Sequence, residues 1–105
     1  MSGSPGRNWI NPPSDNCATL AQHTTLNSPD REVLKTIEKG DMLDVGVRQA
    51  GKAVMVEASK NGNVAGTITS SIIQRLAECM EEGYVYVAEV TENQGGACKV
   101  HIHIK

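Results

Sequence analysis

The stretch from Asn61 to Val90, NGNVAGTITSSIIQRLAECMEEGYVYVAEV, reads as strand, helix, strand with a stop signal at each junction. Few small folds accommodate it. Asn61-Gly62 is a tight-turn pair, since both residues tolerate positive φ. Val64 to Ile68 form a short apolar strand, and Gly66 within it marks a bulge or a close approach of another backbone. Thr69, Ser70 and Ser71 offer hydroxyl oxygens to cap a helix start. The helix sets Ile72, Ile73, Leu76, Cys79 and Met80 on one side and Gln74, Arg75, Glu78, Glu81 and Glu82 on the other. That spacing is amphipathic. Gly83 stands where a left-handed residue ends a helix. Tyr84 to Val90, rich in aromatic and β-branched residues, predict the next strand.

The flanking segments alternate with period two. Leu43, Val45 and Val47 oppose Asp44, Gly46 and Arg48; Val54 and Val56 align in Ala53–Ala58 after a turn around Gly51. These two strands and Val64–Ile68 predict a meander. In Ala97–Lys105, Cys98, Val100, Ile102 and Ile104 face one way and Lys99, His101, His103 and Lys105 the other. Asn93-Gln94-Gly95-Gly96 is the turn before it. Upstream, Cys17–Leu26 supplies a first short strand. Ser28-Pro29 opens a helix with Ser28 as N-cap, and Gly40 closes it.

The predicted fold class is mainly β with two short helices: a small, antiparallel, OB-like, partly closed barrel, in which closure protects strand edges. The alternative is an α+β open antiparallel sheet. Residues 1–16, rich in Gly, Pro, Ser and Asn, form an N-terminal arm, and 17–105 form the single barrel domain. Trp9 and Ile10 in the arm either pack on the domain or contact a partner. With no Phe, one Trp and two Tyr, the core must be aliphatic.

A net charge of −2 argues against a strongly electrostatic nucleic-acid binder but leaves room for a local basic stripe. No apolar run is long enough to span a membrane and no secretory signal is visible, so no membrane partner is expected. Cys17, Cys79 and Cys98 form no CxxC pair. They read as free thiols in a reducing cytoplasm.

From Ala53 to Val90 the succession AVMV, GNVAGTI, IIQRLAECMEEG and YVAEV resembles the second half of a HIRAN domain. The resemblance implies a small OB-like, HIRAN-like barrel of a kind that occurs alone in bacteria or attached to helicase-like enzymes. Some of these bind single-stranded DNA ends. The family's Asn-Pro-x-Asp-x-Asn-Ala run, however, is replaced by Arg48-Gln49-Ala50-Gly51-Lys52, so no family binding residue carries over.

The most chemical pattern is Lys99-x-His101-x-His103-x-Lys105. It reads as a solvated strand face, as an anion-binding stripe that tracks a phosphate backbone, or as two ligands of a metal ion. A metal site needs three or four ligands, and His23 and Cys17 are the obvious additions. No metal and no other cofactor is assigned on that count. Tyr84 and Tyr86 are candidate stacking platforms or, equally, barrel residues. No arrangement suits a nucleophile, a phosphate loop or paired acid–base carboxylates. The expectation is a non-enzymatic binding module. Its candidate ligand-binding residues are Lys99, His101, His103, Lys105, Tyr84 and Tyr86, and its partner is a single-stranded nucleic acid. The alternative is a protein partner or a homo-oligomer without nucleic-acid contact.

Overall fold

The computed structural model describes residues 16–105; Trp9 and Ile10 lie outside them. Its strands are β1 (Gln22–Thr25), β2 (Met42–Ala50), β3 (Ala53–Lys60), β4 (Asn63–Ile68), β5 (Tyr86–Gln94) and β6 (Ala97–Ile104). Helix α1 (Arg31–Leu34) lies between β1 and β2, and α2 (Ile73–Glu81) between β4 and β5.

The sheet order is β1-β6-β5-β2-β3-β4, with every pairing antiparallel. Strands β2 to β4 form the predicted meander. Strand β5 then returns, by way of α2, to the free edge of β2. That is a Greek key, the connectivity on which partly open small barrels of the OB type are built. The outer strands do not stay apart. Just beyond β1, Asn27 exchanges backbone hydrogen bonds of 2.8 and 2.9 Å with Thr67 in β4. The sheet therefore curls into a partly closed barrel.

Gly66 makes this closure sterically feasible. A Cβ there would lie 3.0 Å from Leu26 Cβ and 3.1 Å from the Asn27 carbonyl oxygen. This is the close approach that a glycine inside a strand predicts. At Asn61-Gly62 the φ angles are 52° and 85°, as the two-residue hairpin between β3 and β4 requires.

Closure also relocates the first helix. The Ser28 cap is not formed. Asn27 is held by Thr67, and the Asp30 amide donates to the Ala65 carbonyl, so the chain stays bound to β4 through residue 30. Asp30 becomes the N-cap, its carboxylate accepting from the Glu32 and Val33 amides. The helix is a single turn; the Asn93 side-chain amide of β5 donates to the carbonyl of Leu34, its last residue, and to that of Ile37 in the turns beyond it.

Helix α2 buries Leu76 and Cys79 as its periodicity predicts. It ends in a Schellman motif: Tyr84 N donates to the Cys79 carbonyl and Gly83 N to the Met80 carbonyl, with Gly83 at φ 106°. The expected hydroxyl cap is absent; Ile72 is the N-cap residue and makes no side-chain hydrogen bond. The core inside the curl is aliphatic apart from Tyr86 and three cysteines, with Leu43, Val56, Ile68, Leu76, Val100 and Ile102 almost wholly buried.

The expectation of three free thiols is corrected. Cys17 and Cys79 are joined in a disulfide, and Cys98 is free and buried. Cys79 faces the core from α2, and the bond ties the segment before β1 to it. Among the described residues no helix is long and apolar enough to cross a membrane.

Candidate functional site

The alternation of β6 places its side chains as expected. Cys98, Val100 and Ile102 point into the core, and Lys99, His101 and His103 point outward, the two histidines half-buried. Lys105 is exposed just past the strand end. Antiparallel pairing then decides what lies beside each outward residue, because Cα partners share a face. His101 stands opposite His23 of β1 on one side and Glu89 of β5 on the other. Glu89 in turn stands opposite Met42 of β2. An outward row of His23, His101, Glu89 and Met42 thus crosses four strands.

The His23 and His101 rings stack with centroids 4.1 Å apart and planes 8° from parallel. His103 lies tilted against His101, with centroids 5.0 Å apart. Its Nδ1 is 2.8 Å from the Ile104 carbonyl oxygen, and its Nε2 is 3.7 Å from a Glu89 carboxylate oxygen. Partial burial, and behind it the neighbouring His23 and His101–His103 contacts, depress the His101 pKa against the opposing pull of Glu89. The lower pKa favours the neutral ring near pH 7.

A bulge completes the arrangement. The register of β5 against β6 shifts between Val90 and Glu92, so that Glu92 pairs with Lys99. Glu89 and Glu92 are three residues apart and in a regular strand would face opposite ways. The extra residue, Thr91, turns both outward. Glu92 then lies 3.7 Å from the Lys99 ammonium. The stripe is therefore interleaved with carboxylates.

The two tyrosines part company. Tyr84 precedes β5 and is 39% exposed. Tyr86 is 1% exposed, and its hydroxyl donates to the Cys17 carbonyl oxygen at 2.5 Å. Tyr86 is a barrel residue, not a surface platform for a base. Cys17, one of the suggested additions to the histidine pair, is held in the disulfide; His23, the other, is brought to the pair by β1–β6 pairing.

A second feature lies at the other end of the sheet. The core-facing side of the β2–β3 hairpin carries Val47, Val54 and, paired with Val54, Gln49 towards its tip, and α2 does not cover it fully. Val47 and Val54 are 41% and 40% exposed. With Ile73, Ala77 and Met80 of α2 they line a groove of about 650 Å³, whose lining also includes the polar Gln49, Lys52, Gln74, Glu78 and Glu81. Alternation alone places Val47 and Val54 on a buried face; that α2 leaves both partly exposed has no sequence signal.

No family model, no curated protein and no solved structure matches the chain.

Proposed function

We propose that the chain is a non-enzymatic small-barrel binding module that takes up an apolar segment of a protein partner in the groove between α2 and the β2–β3 hairpin. The observation that carries this reading is the uncovered core-facing surface at Val47 and Val54. Leaving such surface in water costs roughly 25 cal/mol per Å², which a partner's apolar side chains recover. The occupant best suited to it is a short segment with one or two large aliphatic or aromatic residues, in the manner of groove-bound peptides.

Selection of displayed peptides on the intact protein tests this. Selected peptides are expected to share apolar anchors and to lose binding to a Val54→Asp variant. Peptides that bind that variant equally well, or whose amide-shift footprint lies away from α2, sink the reading. Sedimentation of the unliganded protein identifies a second copy as the occupant if the mass doubles and Val54→Asp restores the monomer.

Single-stranded nucleic acid along β6 is the second reading, in keeping with the HIRAN resemblance. Lys99, Lys105 and Tyr84 are exposed and support it. Glu89 and Glu92 among the cations, and the burial of Tyr86, weigh against it. Anisotropy of a labelled strand at low salt, compared between the wild type and a Lys99→Glu/Lys105→Glu variant, separates the two. As to compartment, the Cys17–Cys79 disulfide removes the free-thiol argument for a cytoplasmic location and favours an oxidising one.

A further inference from the structure

We propose that His101, His103 and Glu89, joined by His23, form a binding site for a divalent transition-metal ion of the zinc class on the outer face of the barrel. The groove argued above lies elsewhere, and neither site depends on the other.

The first argument is placement. One ligand atom each from Glu89, His101 and His103 lie within 4.8 Å of one another. A tetrahedral ion with bonds of about 2.0–2.1 Å holds its ligand atoms about 3.3 Å apart. Side-chain rotation is enough to close that difference. The backbone need not move, because His101 and His103 are on β6 and Glu89 is on the directly paired β5. Ligands on paired strands are positioned more exactly than ligands on loops.

The second argument is the tautomer of His103. Its Nδ1 lies 2.8 Å from the Ile104 carbonyl oxygen. A carbonyl oxygen only accepts, so Nδ1 carries the proton and donates it. In the neutral ring Nε2 then bears the lone pair, and it faces the Glu89 carboxylate at 3.7 Å. A lone pair facing a carboxylate is unfavourable unless a cation stands between them. Either a proton or a metal ion meets that need. A ring nitrogen held by a backbone carbonyl, with the other nitrogen turned into the site, is the usual support of a metal-bound histidine.

The third argument is the ligand count. His23 is the Cα partner of His101 and stacks on its ring. It is exposed on an outer strand, so it has room to turn off the stack and direct a nitrogen to the ion. Two or three imidazole nitrogens and one carboxylate oxygen suit zinc, copper or nickel. They do not suit calcium or magnesium, which take oxygen ligands.

The test uses chelator-treated, full-length protein titrated with Co²⁺ as a visible probe and with Zn²⁺ as competitor. The expected result is a tetrahedral Co²⁺ absorption that saturates at one ion per chain and is displaced by Zn²⁺. His101→Ala and His103→Ala should each weaken binding at least about tenfold, and Glu89→Gln about tenfold. His23→Ala should change the Co²⁺ spectrum, and Lys99→Ala should leave binding unchanged. These side chains point outward, so circular dichroism should show the variants folded. No saturable binding at about 100 μM Zn²⁺ overturns the proposal, and so does unchanged binding by the His101→Ala/His103→Ala double variant. Nitrogen NMR supplies an independent check. A His103 Nε2 that is protonated at neutral pH and unmoved by Zn²⁺ shows an ion pair with Glu89 and overturns it as well.

Discussion

Cys17 and Cys79 are bonded across a sequence separation of 62 residues, a loop that encloses β1 to β4, α1 and most of α2. The bond anchors the segment before β1 to the helix that caps the core. Tyr86 holds the same segment through the Cys17 carbonyl, and burial pushes its phenol pKa up.

A cross-link over so long a loop lowers the entropy of the unfolded chain, with a typical effect of about 2–4 kcal/mol. Urea melts should therefore show a lower midpoint on addition of reductant. A Cys17→Ala/Cys79→Ala variant should start lower and not respond. Thiol labelling gives the matching count. In the folded protein Cys98 should react slowly, because burial raises its pKa and hides the sulfur. Unfolding without reductant should expose that thiol alone, and reductant should then expose two more. An unaltered midpoint on reduction contradicts a stabilising bond.

Barrel closure makes a different demand at Gly66. An alanine Cβ there meets Leu26 Cβ at 3.0 Å and the Asn27 carbonyl at 3.1 Å. Gly66→Ala should cost about 1–3 kcal/mol through overpacking. The damage should be local first: the Asn27 and Thr67 amides, which bridge the two outer strands, should lose hydrogen-exchange protection before those of β5 and β6. Equal protection in the variant would mean that the strands can part slightly without loss.

Leu76 tests the core from the helix side. It is 0% exposed and lies on the buried face of α2. Leu76→Ala should lower the unfolding free energy by about 2–5 kcal/mol, as truncation leaves a cavity under the helix. A loss below about 1 kcal/mol in urea melts would mean that the helix settles into the space.

What could be read from the chain was whatever local chemistry decides. Alternation in residues 42–48 and 97–105 marks two strands because one face of each is buried. Asn61-Gly62, Gly66 and Gly83 mark a turn, a close approach and a helix end for steric reasons local to each residue. The errors arise where a distant strand intervenes. Ser28 has the composition of a cap, yet pairing of Asn27 with Thr67 carries the chain past it to Asp30. Tyr84–Val90 predicted the strand two residues early at its start and four short at its end, since the hairpin with β6 sets its limits. The candidate site divides in the same way. His101 and His103 share a face by their spacing alone. His23 joins them only through β1–β6 pairing, and Glu89 and Glu92 come to one face only through the bulge at Thr91.

Asp41 connects fold and pH. Its carboxylate accepts from the Glu38 amide at 2.9 Å and from the Lys60 ammonium at 3.0 Å, and Lys60 also donates to the Thr36 carbonyl. The pair ties the segment after α1 to the end of β3. The Glu38 amide first, and Lys60 after it, hold the Asp41 carboxyl below its ordinary value of 3.8. A carboxyl whose pKa is lower when folded than when unfolded binds protons more readily in the unfolded chain. Its contribution to stability is therefore complete above about pH 5, declines as the pH falls through the unfolded value, and is lost once the pH passes below the folded one. Denaturation midpoints measured from pH 5 down to pH 2 should fall more steeply for the wild type than for Asp41→Asn, whose amide does not titrate. At pH 7 the variant should be the less stable of the two, since it keeps an acceptor but loses the charge opposite Lys60. Parallel acid limbs for the two proteins would show that other carboxylates govern the acid transition and that the Asp41–Lys60 contact is not maintained in solution.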